Sequence, residues 1–444
     1  MSVQRVIKSS VRYWPGPFFV LWGSQALAAL TSEVLQFALI WWLTAAFDSA
    51  TVVGIATMTA LLPRALLGPF MGALVDRWSR RAVLLASHGV IILSLLCLGY
   101  LFWTESTSLG LVYLIILVRA CGKSFQMPAM LASTALMVPE KHLPRIAGLN
   151  QMLQGIILVV SPALGAVLIY ALALPAIVAV DITGALLAVA VLLFVALPNP
   201  PRRVHADALP TGWRSLWEDV RAGVRYVRDW RGAPEMLGIS TVMNFLSSPA
   251  FMLTSILVIR RFGGAEREFG FIGAAIGIGM ICGGMGLSLW GGFRRPMQTS
   301  LMGVIGMASA ILVAGLAPAS AFWLAVGSMF IGGLMMPVCM APIQALVQKS
   351  VDSTMQGRIL ALLDSISTAI APLSVVIAGP VFDTAGPQVW YVGAGVLALI
   401  VGGVGFATPR VLNLGAPQST EESGIARDVA GDGQRQISSQ RLGV

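Results

Sequence analysis

The sequence predicts an all-α polytopic membrane protein, with twelve transmembrane helices in two sets of six. Three observations predict it. Of the 444 residues, 57% are hydrophobic and 11% charged, against roughly a quarter charged in a soluble domain. Apolar runs of about 20 residues recur along the chain, each long enough to cross a hydrocarbon core of ~30 Å as a helix. Lysine and arginine collect in alternate gaps between those runs, which is the bias of cytoplasmic loops.

Residues 1–16, "MSVQRVIKSSVRYWPG", are a basic arm. The apolar run behind it is too long for a signal peptide and shows no small-residue cleavage site, so the arm is expected to stay cytoplasmic. Six spans are expected near 17–43, 51–71, 82–103, 108–135, 143–170 and 174–197, forming an N-terminal half over 17–197. A cytoplasmic linker covers 198–232. Six more spans are expected near 233–259, 268–290, 298–316, 320–346, 356–381 and 388–407, forming a C-terminal half over 233–408. The tail, 409–444, is rich in Gly, Ser, Gln and mixed charge after Leu414, too poor in apolar residues for a core, and is expected to be disordered.

The even-numbered gaps hold "DRWSRR", "EKHLPR", the arginine-rich centre, "FRRP" and "QKSVDSTMQGR", whereas "DSAT", "ALALP" and "LAPAS" hold no base. Both termini and the linker are therefore expected on the cytoplasmic side of a bacterial inner membrane. The exception is "RRFGGAERE" after span seven, which is basic on the outer side but also carries Glu266 and Glu268. Within the linker, Trp213, Leu216, Trp217, Val220, Val224 and Val227 recur at helical spacing, with Arg214, Arg221, Arg225 and Arg228 mainly elsewhere around the helix. Such a helix suits the inner membrane face, and suits equally well packing against the protein's own cytoplasmic ends.

Several function classes are excluded. The net charge of +9 would suit nucleic acid only if the bases gathered on one soluble face, and they lie mostly in short loops. Cys97, Cys121, Cys282 and Cys339 all sit in apolar runs without metal or redox spacing, and none of the three histidines has a partner at ligand spacing. No metal or cofactor is expected. "CGKS" at 121–124 contains Gly-Lys-Ser, but the phosphate-binding loop needs glycine at 117, where Leu117 stands. ATP is not the energy source, which leaves an ion gradient or the substrate's own gradient. No enzymatic activity is expected.

"GALVDRWSRR", residues 72–81, is the most specific signal. Gly72 allows close packing at the end of span two, Asp76 sits at the turn, and Arg77, Arg80 and Arg81 add a dense positive patch. An acid among arginines forms charge-assisted contacts that exist in one conformation and break in another, so this group is read as a conformational latch. A weak internal repeat accompanies it: "PRIAGLNQMLQG" opens span five and "GRILALLDSIST" span eleven, matching Arg145 to Arg358 and Gln151 to Asp364. Parallel duplication of a six-helix unit fits, with a site near the midplane between halves.

On these residues the chain resembles the major facilitator superfamily, whose signature G-x-L-x-D-R-x-x-R-[KR] is matched by Gly72, Leu74, Asp76, Arg77, Arg80 and Arg81. Within it, "WGSQALAALTSEVLQFALIWWLT", "VRACGKSFQMPAM", "SPALGAVLIYAL" and "GRILALLDSISTAIAPLSVVIAG" look like stretches of the macrolide-efflux branch, which is also similar to enterobactin exporters. The resemblance implies that Asp76 meets the start of span eleven near Gly357 and Arg358 and latches the outward-facing state. It also implies a functional Arg in span four, matched by Arg119. Ser161 stands in span five where many antiporters have Gly, which weakens the case for antiport from that motif.

A charge near the middle of a spanning helix costs roughly 2.5 to 3.5 kcal/mol on insertion scales, so it faces a cavity or a partner. Glu33, Arg119 and Lys123 are such charges. Counting from the outer ends of their spans puts Glu33 and Arg119 at similar depth and Lys123 one turn deeper, which predicts one acid-base cluster. Three readings stay open: proton coupling through Glu33, which is favoured; a static Glu33–Arg119 ion pair; and a Glu33 that binds a cationic substrate without titrating. Asp364, with Ser367 and Thr368 beyond it and Gln151 and Gln154 opposite, suggests a polar stripe with a coupling or substrate role, against structural hydrogen bonding at even weight. Asp181 is expected to cap or pair structurally, and Arg64 to snorkel to the inner interface.

Gln25, Gln36, Phe125, Gln126, Asn244, Phe245, Met336 and Gln344 complete the candidate cavity lining with Gln151 and Gln154. Methionine and aromatic surface with scattered amides suits a bulky amphiphile better than a sugar. Together with the resemblance, this predicts a proton-coupled exporter of a macrolide-like compound working by alternating access, with a monomer as the expected unit. The rivals are a siderophore exporter, in which Arg119 and Lys123 bind an anion and Glu33 is their counter-ion, and a non-transporting receptor or scaffold on the same fold.

Overall fold

The computed structural model describes residues 14–104, 108–139, 142–195, 197, 225, 233–350, 370–412 and 414. The expected amphipathic linker helix lies outside the described residues, as do nearly all of the N-terminal arm and the tail. Among the described residues every regular element is a helix. The first six are α1 (Pro15–Phe47), α2 (Ala50–Arg77), α3 (Arg80–Trp103), α4 (Leu109–Met137), α5 (Leu143–Ala171) and α6 (Leu174–Phe194). After the linker come α7 (Ala233–Met252), α8 (Thr254–Phe262), α9 (Glu266–Trp290), α10 (Pro296–Leu316), α11 (Phe322–Ser350), α12 (Ile370–Ala385), α13 (Pro387–Ala407) and α14 (Pro409–Leu412).

Local chemistry sets several of these starts. Ser49 and Ser79 accept hydrogen bonds from the Val52 and Ala82 N–H groups and so cap α2 and α3. Proline occupies the first turn of α5, α6, α10 and α13, where its missing N–H costs nothing. Among the described residues nine helices are long and apolar enough to cross a membrane, or ten if α7 and α8 form one span. Shorter apolar stretches at Ala50–Leu66 and Ile370–Ala385 stand where spans two and eleven are expected.

Span seven differs from the continuous helix expected over 233–259. It breaks at Leu253, and α7 and α8 meet at 54°. Pro249 lies one turn before the break and, having no N–H, leaves the Phe245 carbonyl without its helical donor. Freed carbonyls within a membrane need new donors. Trp390 Nε1 donates to the Leu246 carbonyl at 3.2 Å, the Tyr391 hydroxyl donates to that of Ala250, and Thr254 Oγ1 donates to those of Ala250 and Phe251.

Helices α1–α6 pack among themselves, with α4 against α2 and α3, and α6 against α1 and α3. In the second group α11 packs against α9 and α10, and α13 against α10 and α7. The two groups join where α5 lies on α9 and α8 on α1, and where α2 meets α12. This is the end carrying the α1–α2, α5–α6, α8–α9 and α12–α13 turns, here called the joined end. Lipid offers no hydrophobic drive for helix association, so contact depends on close fit. Phe37 stacks on Phe269 with ring centroids 4.2 Å apart. A Cβ at Gly379 would lie 2.8 Å from the Thr51 Cα, so glycine is what lets α12 touch α2 there. Toward the other end α5 and α9 part: Gly155 still faces Ile281, but Met152 and Met285 beyond them are 58% and 62% exposed.

Candidate functional site

The intramembrane charges of the first group form two ion pairs, not the one cluster expected. Arg119 on α4 donates to Asp181 Oδ2 on α6 at 3.0 Å, and the two side chains are 5% and 2% exposed. It also donates to Ser32 Oγ at 2.7 Å, to the Ser32 carbonyl at 3.0 Å and to Gln36 Oε1 at 3.2 Å. Thr31 Oγ1 donates to the second Asp181 oxygen at 3.1 Å. The carboxylate and both terminal guanidinium nitrogens have partners, whereas the buried Arg119 Nε has none among the described residues. The expected Glu33–Arg119 pairing is corrected here: α6 packs on α1 and inserts Asp181 at the height where Arg119 needs an anion.

Glu33 pairs instead with Lys123, Nζ to Oε1 at 2.5 Å. The Lys123 and Glu33 side chains are 38% and 42% exposed, so this pair, unlike its neighbour, is open. The pattern along α4 shows to what. Near the joined end Leu111, Leu114 and Val118 are exposed on one face. Beyond the turn of Arg119, Met127 and Leu131 are exposed, which at 3.6 residues per turn share a face with Lys123 nearly opposite to the first, and only near the helix end does exposure return to the first face, at Leu136. A helix whose outward face is the first must present the second inward. Lys123 and Glu33 therefore border the space between the two helix groups, on the side where these separate.

Deeper along the same helices lies a histidine that sequence reasoning passed over. His88 on α3 is 1% exposed; its Nε2 lies 3.0 Å from Gln25 Oε1 and its Nδ1 3.2 Å from Gln126 Nε2. Trp22 Nε1 donates to Asn150 Oδ1 at 2.7 Å one turn further. An ionisable residue inside an apolar run was the available signal; its partners were not legible. Gln25, Gln36 and Gln126 thus belong to the polar network of α1, α3 and α4.

Of the signature residues, Arg80 is buried and Arg81 donates to the Leu193 carbonyl in the last turn of α6 at 2.5 Å. A cation at a helix C-terminus complements its dipole. The side chains of Gly72, Asp76, Arg77 and Gln151, and of Gln344 on α11, lie outside the described residues, as do Arg358 and Asp364 altogether. Phe125 packs beside the cluster of Leu84, Ala129 and Leu192, Phe245 lies 6.0 Å from the Trp390 ring, and Gln154 is exposed on α5. Asn244 and Met336 line a cavity of about 320 Å³ between α7, α9, α10 and α11.

The joined end carries a second charged network, absent from the sequence expectations. Asp383, in the last turn of α12, accepts from the Ala50 N–H at 2.7 Å, the Thr51 N–H at 2.9 Å, Thr51 Oγ1 at 2.5 Å and Ser49 Oγ at 2.9 Å. It caps the N-terminus of α2 from the other helix group. Arg260 of α8 lies 3.1 Å from the same carboxylate, donates to Asp48 Oδ1 at 3.0 Å and also bonds the Asp48 carbonyl. Asp48 itself closes α1 with φ at 39°, a left-handed conformation that aspartate tolerates better than most residues. Arg261 donates to the Ala317 carbonyl. Arg260 and Arg261, two of the three bases that broke the charge pattern after span seven, are thus held by specific partners.

Comparison with known proteins places this arrangement in a class. The Major Facilitator Superfamily model matches residues 21–374, and the chain belongs to that family. It is 29% identical over 388 residues to Macrolide efflux protein A of Streptococcus pyogenes, covering 87% of this chain and 95% of that protein. It is 23% identical over 414 residues to the multidrug efflux pump Tap of Mycolicibacterium fortuitum, covering 90% and 97%. Among solved structures it resembles a bacterial homolog of the human lysosomal transporter Spinster, with TM-score 0.67 and 14% identity, covering 91% and 99%. The nucleoside transporter NupG gives TM-score 0.66 at 12% identity over 88% and 98%. The fold is that of the major facilitators, and the protein is a multi-pass membrane protein of a transporter family.

Proposed function

We propose that the protein is a proton-coupled exporter of bulky amphiphilic, macrolide-like compounds in a bacterial inner membrane, with both termini cytoplasmic. The observation that carries this reading is the open Glu33–Lys123 pair beside the closed Arg119–Asp181 pair. A pair sealed from water at 5% and 2% exposure acts in packing, and removing one partner would strand a charge. An acid at mid-span that water can reach is a group whose proton occupancy can follow the side to which it is open. Glu33 would give up its proton to the cytoplasm and pair with Lys123, then take one from outside when the cavity faces there.

Alternating access supplies that exposure. With the termini cytoplasmic, the joined end is the outer end. Asp383 and Arg260 would hold it shut, and the exposure of Met152 and Met285 supports an inner side that is open. Asp76, Arg77, Arg80 and Arg81, with Arg358, would form the opposing inner latch, and Asp364 a second coupling or substrate group. The names of the relatives support the substrate class. An anionic siderophore fits less well, since Arg119 is held by the buried Asp181 and is not left to bind an anion.

The test is uptake of radiolabelled erythromycin into inverted vesicles under an imposed pH gradient, for wild type, Glu33→Gln and Asp364→Asn. Gradient-driven uptake is expected in wild type and is expected to fall at least tenfold in Glu33→Gln. Uptake indifferent to the gradient, or normal coupling in both variants, would reject proton coupling.

A further inference from the structure

The cavity between α7, α9, α10 and α11 takes no part in the proton step. It lies within the second helix group, while Glu33 and Lys123 belong to the first. Its lining contains no Asp, Glu, Lys, Arg or His. Several of the polar side chains there bond the backbone: Asn244 Nδ2 donates to the Ser240 carbonyl at 3.0 Å, Ser247 Oγ to that of Met243 at 2.6 Å and Ser300 Oγ to that of Cys339 at 2.8 Å. A charged group placed in it would lose hydration without compensation.

What the cavity does offer is sulfur. Seven of the chain's 20 methionines line it, Met243, Met280, Met307, Met336 and Met340 among them. An unbranched thioether with three rotatable bonds reshapes to fit different apolar bodies. The walls behind that lining are close to one another. A Cβ at Gly303 of α10 would stand 2.5 Å from the Cys339 nitrogen of α11, and one at Gly333 of α11 would stand 2.1 Å from the Ile276 carbonyl oxygen of α9. Helices in such near-backbone contact hold the frame constant, so accommodation falls to the methionines.

We propose that this methionine-lined cavity binds the uncharged apolar portion of the amphiphilic substrate, as a contact separate from the Glu33–Lys123 pair. Its volume is at the low end of small-molecule sites, which run from about 300 to 1,000 Å³; it holds a part of a macrolide-sized compound and not the whole. A rigid frame with an adjustable lining selects for the absence of charge more than for shape. That is a specificity suited to exporting chemically varied compounds. The role given to the ligand rests on the export reading above, but occupancy of the cavity does not.

The experiment measures binding alone, with no pH gradient. The full-length protein in lipid nanodiscs is titrated with N-phenyl-1-naphthylamine, a neutral fluorophore, and with 8-anilino-1-naphthalenesulfonate, nearly the same ring system carrying a sulfonate, with empty nanodiscs subtracted. Met336→Trp, which fills the cavity, is expected to weaken the neutral probe at least tenfold. Met336→Leu, which keeps the volume, should stay within about threefold of wild type. Met285→Trp, on α9 but outside the lining, serves as the surface control and should match wild type. The sulfonated probe should show no Met336-dependent binding. Should Met336→Trp fail to fold, Ser240→Cys with the native cysteines replaced by alanine reports instead: saturating neutral probe is expected to slow maleimide labelling at least fivefold. Wild-type affinity in a folded Met336→Trp, equal Met336-dependent binding of both probes, or unprotected labelling would each overturn the proposal. If coupling fails in the vesicle assay while these results hold, the proton reading falls and the cavity stands.

Discussion

Asp383 accepts a hydrogen bond from the Thr51 N–H at 2.9 Å, so a carboxylate near the end of α12 caps a helix that begins 333 residues earlier in the chain. With Arg260 on the same carboxylate, the N-terminus of α2, the α1–α2 turn and the C-terminal ends of α8 and α12 are drawn to one point. Such a contact must part whenever this end opens.

Weakening it should favour opening of this end, the outer one in the orientation proposed above. Charge-assisted hydrogen bonds contribute about 1.5 to 3 kcal/mol each, so Asp383→Asn or Arg260→Ala should raise the outward-open population about tenfold or more. Ser255 lies fully buried behind this contact, hydrogen-bonded to Thr44. A cysteine at Ser255 should react correspondingly faster with an impermeant thiol reagent added from outside. Unchanged labelling would show that the contact does not hold the gate.

The two ion pairs of the first group should differ sharply in what they contribute to stability. Asp181→Asn leaves Arg119 buried and unpaired, at a cost of about 3 to 5 kcal/mol, whereas Glu33→Gln, at a water-accessible pair, should cost about 1 kcal/mol or less. Denaturant unfolding in detergent checks the difference. The double variant Arg119→Met/Asp181→Leu should be more stable than Asp181→Asn alone, because no charge is stranded. Equal losses in the two single variants would contradict the division into a closed and an open pair.

The break in span seven depends on borrowed hydrogen bonds. Tyr391→Phe removes a donor from the Ala250 carbonyl, leaving Thr254 Oγ1 at 3.0 Å, and should destabilise by about 1 kcal/mol. Thermal unfolding of wild type and variant measures it; no change would mean that the hydroxyl is dispensable at the break.

Glycines of the second group should divide by what stands opposite them. Gly303→Ala pushes a methyl toward the α11 backbone and should cost about 1 to 3 kcal/mol. Gly238 on α7 has nothing within 4 Å of a built Cβ, so Gly238→Ala should stabilise by up to about 1 kcal/mol through helix propensity. The same unfolding assay separates them, and an equal response would reject the close approach of α10 and α11.

Much of the fold was legible because spanning a membrane imposes local rules. Apolar length marked the helices, and the placing of lysine and arginine marked the gaps between them. Span seven defeated the reading because Pro249 inside an apolar run is compatible with either a kink or a break. The outcome turned on donors from Tyr391 and Trp390, which are more than 130 residues away. The bases at Arg260 and Arg261 looked like a flaw in the topology pattern because their partners, Asp48, Asp383 and the Ala317 carbonyl, lie on other helices.

By itself the sequence determined the protein's class, the height of each ionisable group along its helix, and the signature that marks the family. These follow from counting along a helix of known rise. Only the tertiary structure decided that Arg119 belongs to Asp181 and Lys123 to Glu33, which of these pairs is sealed, and where the methionines gather into a cavity. The reason is geometric: counting residues fixes depth, whereas partnership depends on how each helix is rotated about its axis and which neighbour it faces. Packing between distant segments sets that rotation, and no local pattern encodes it.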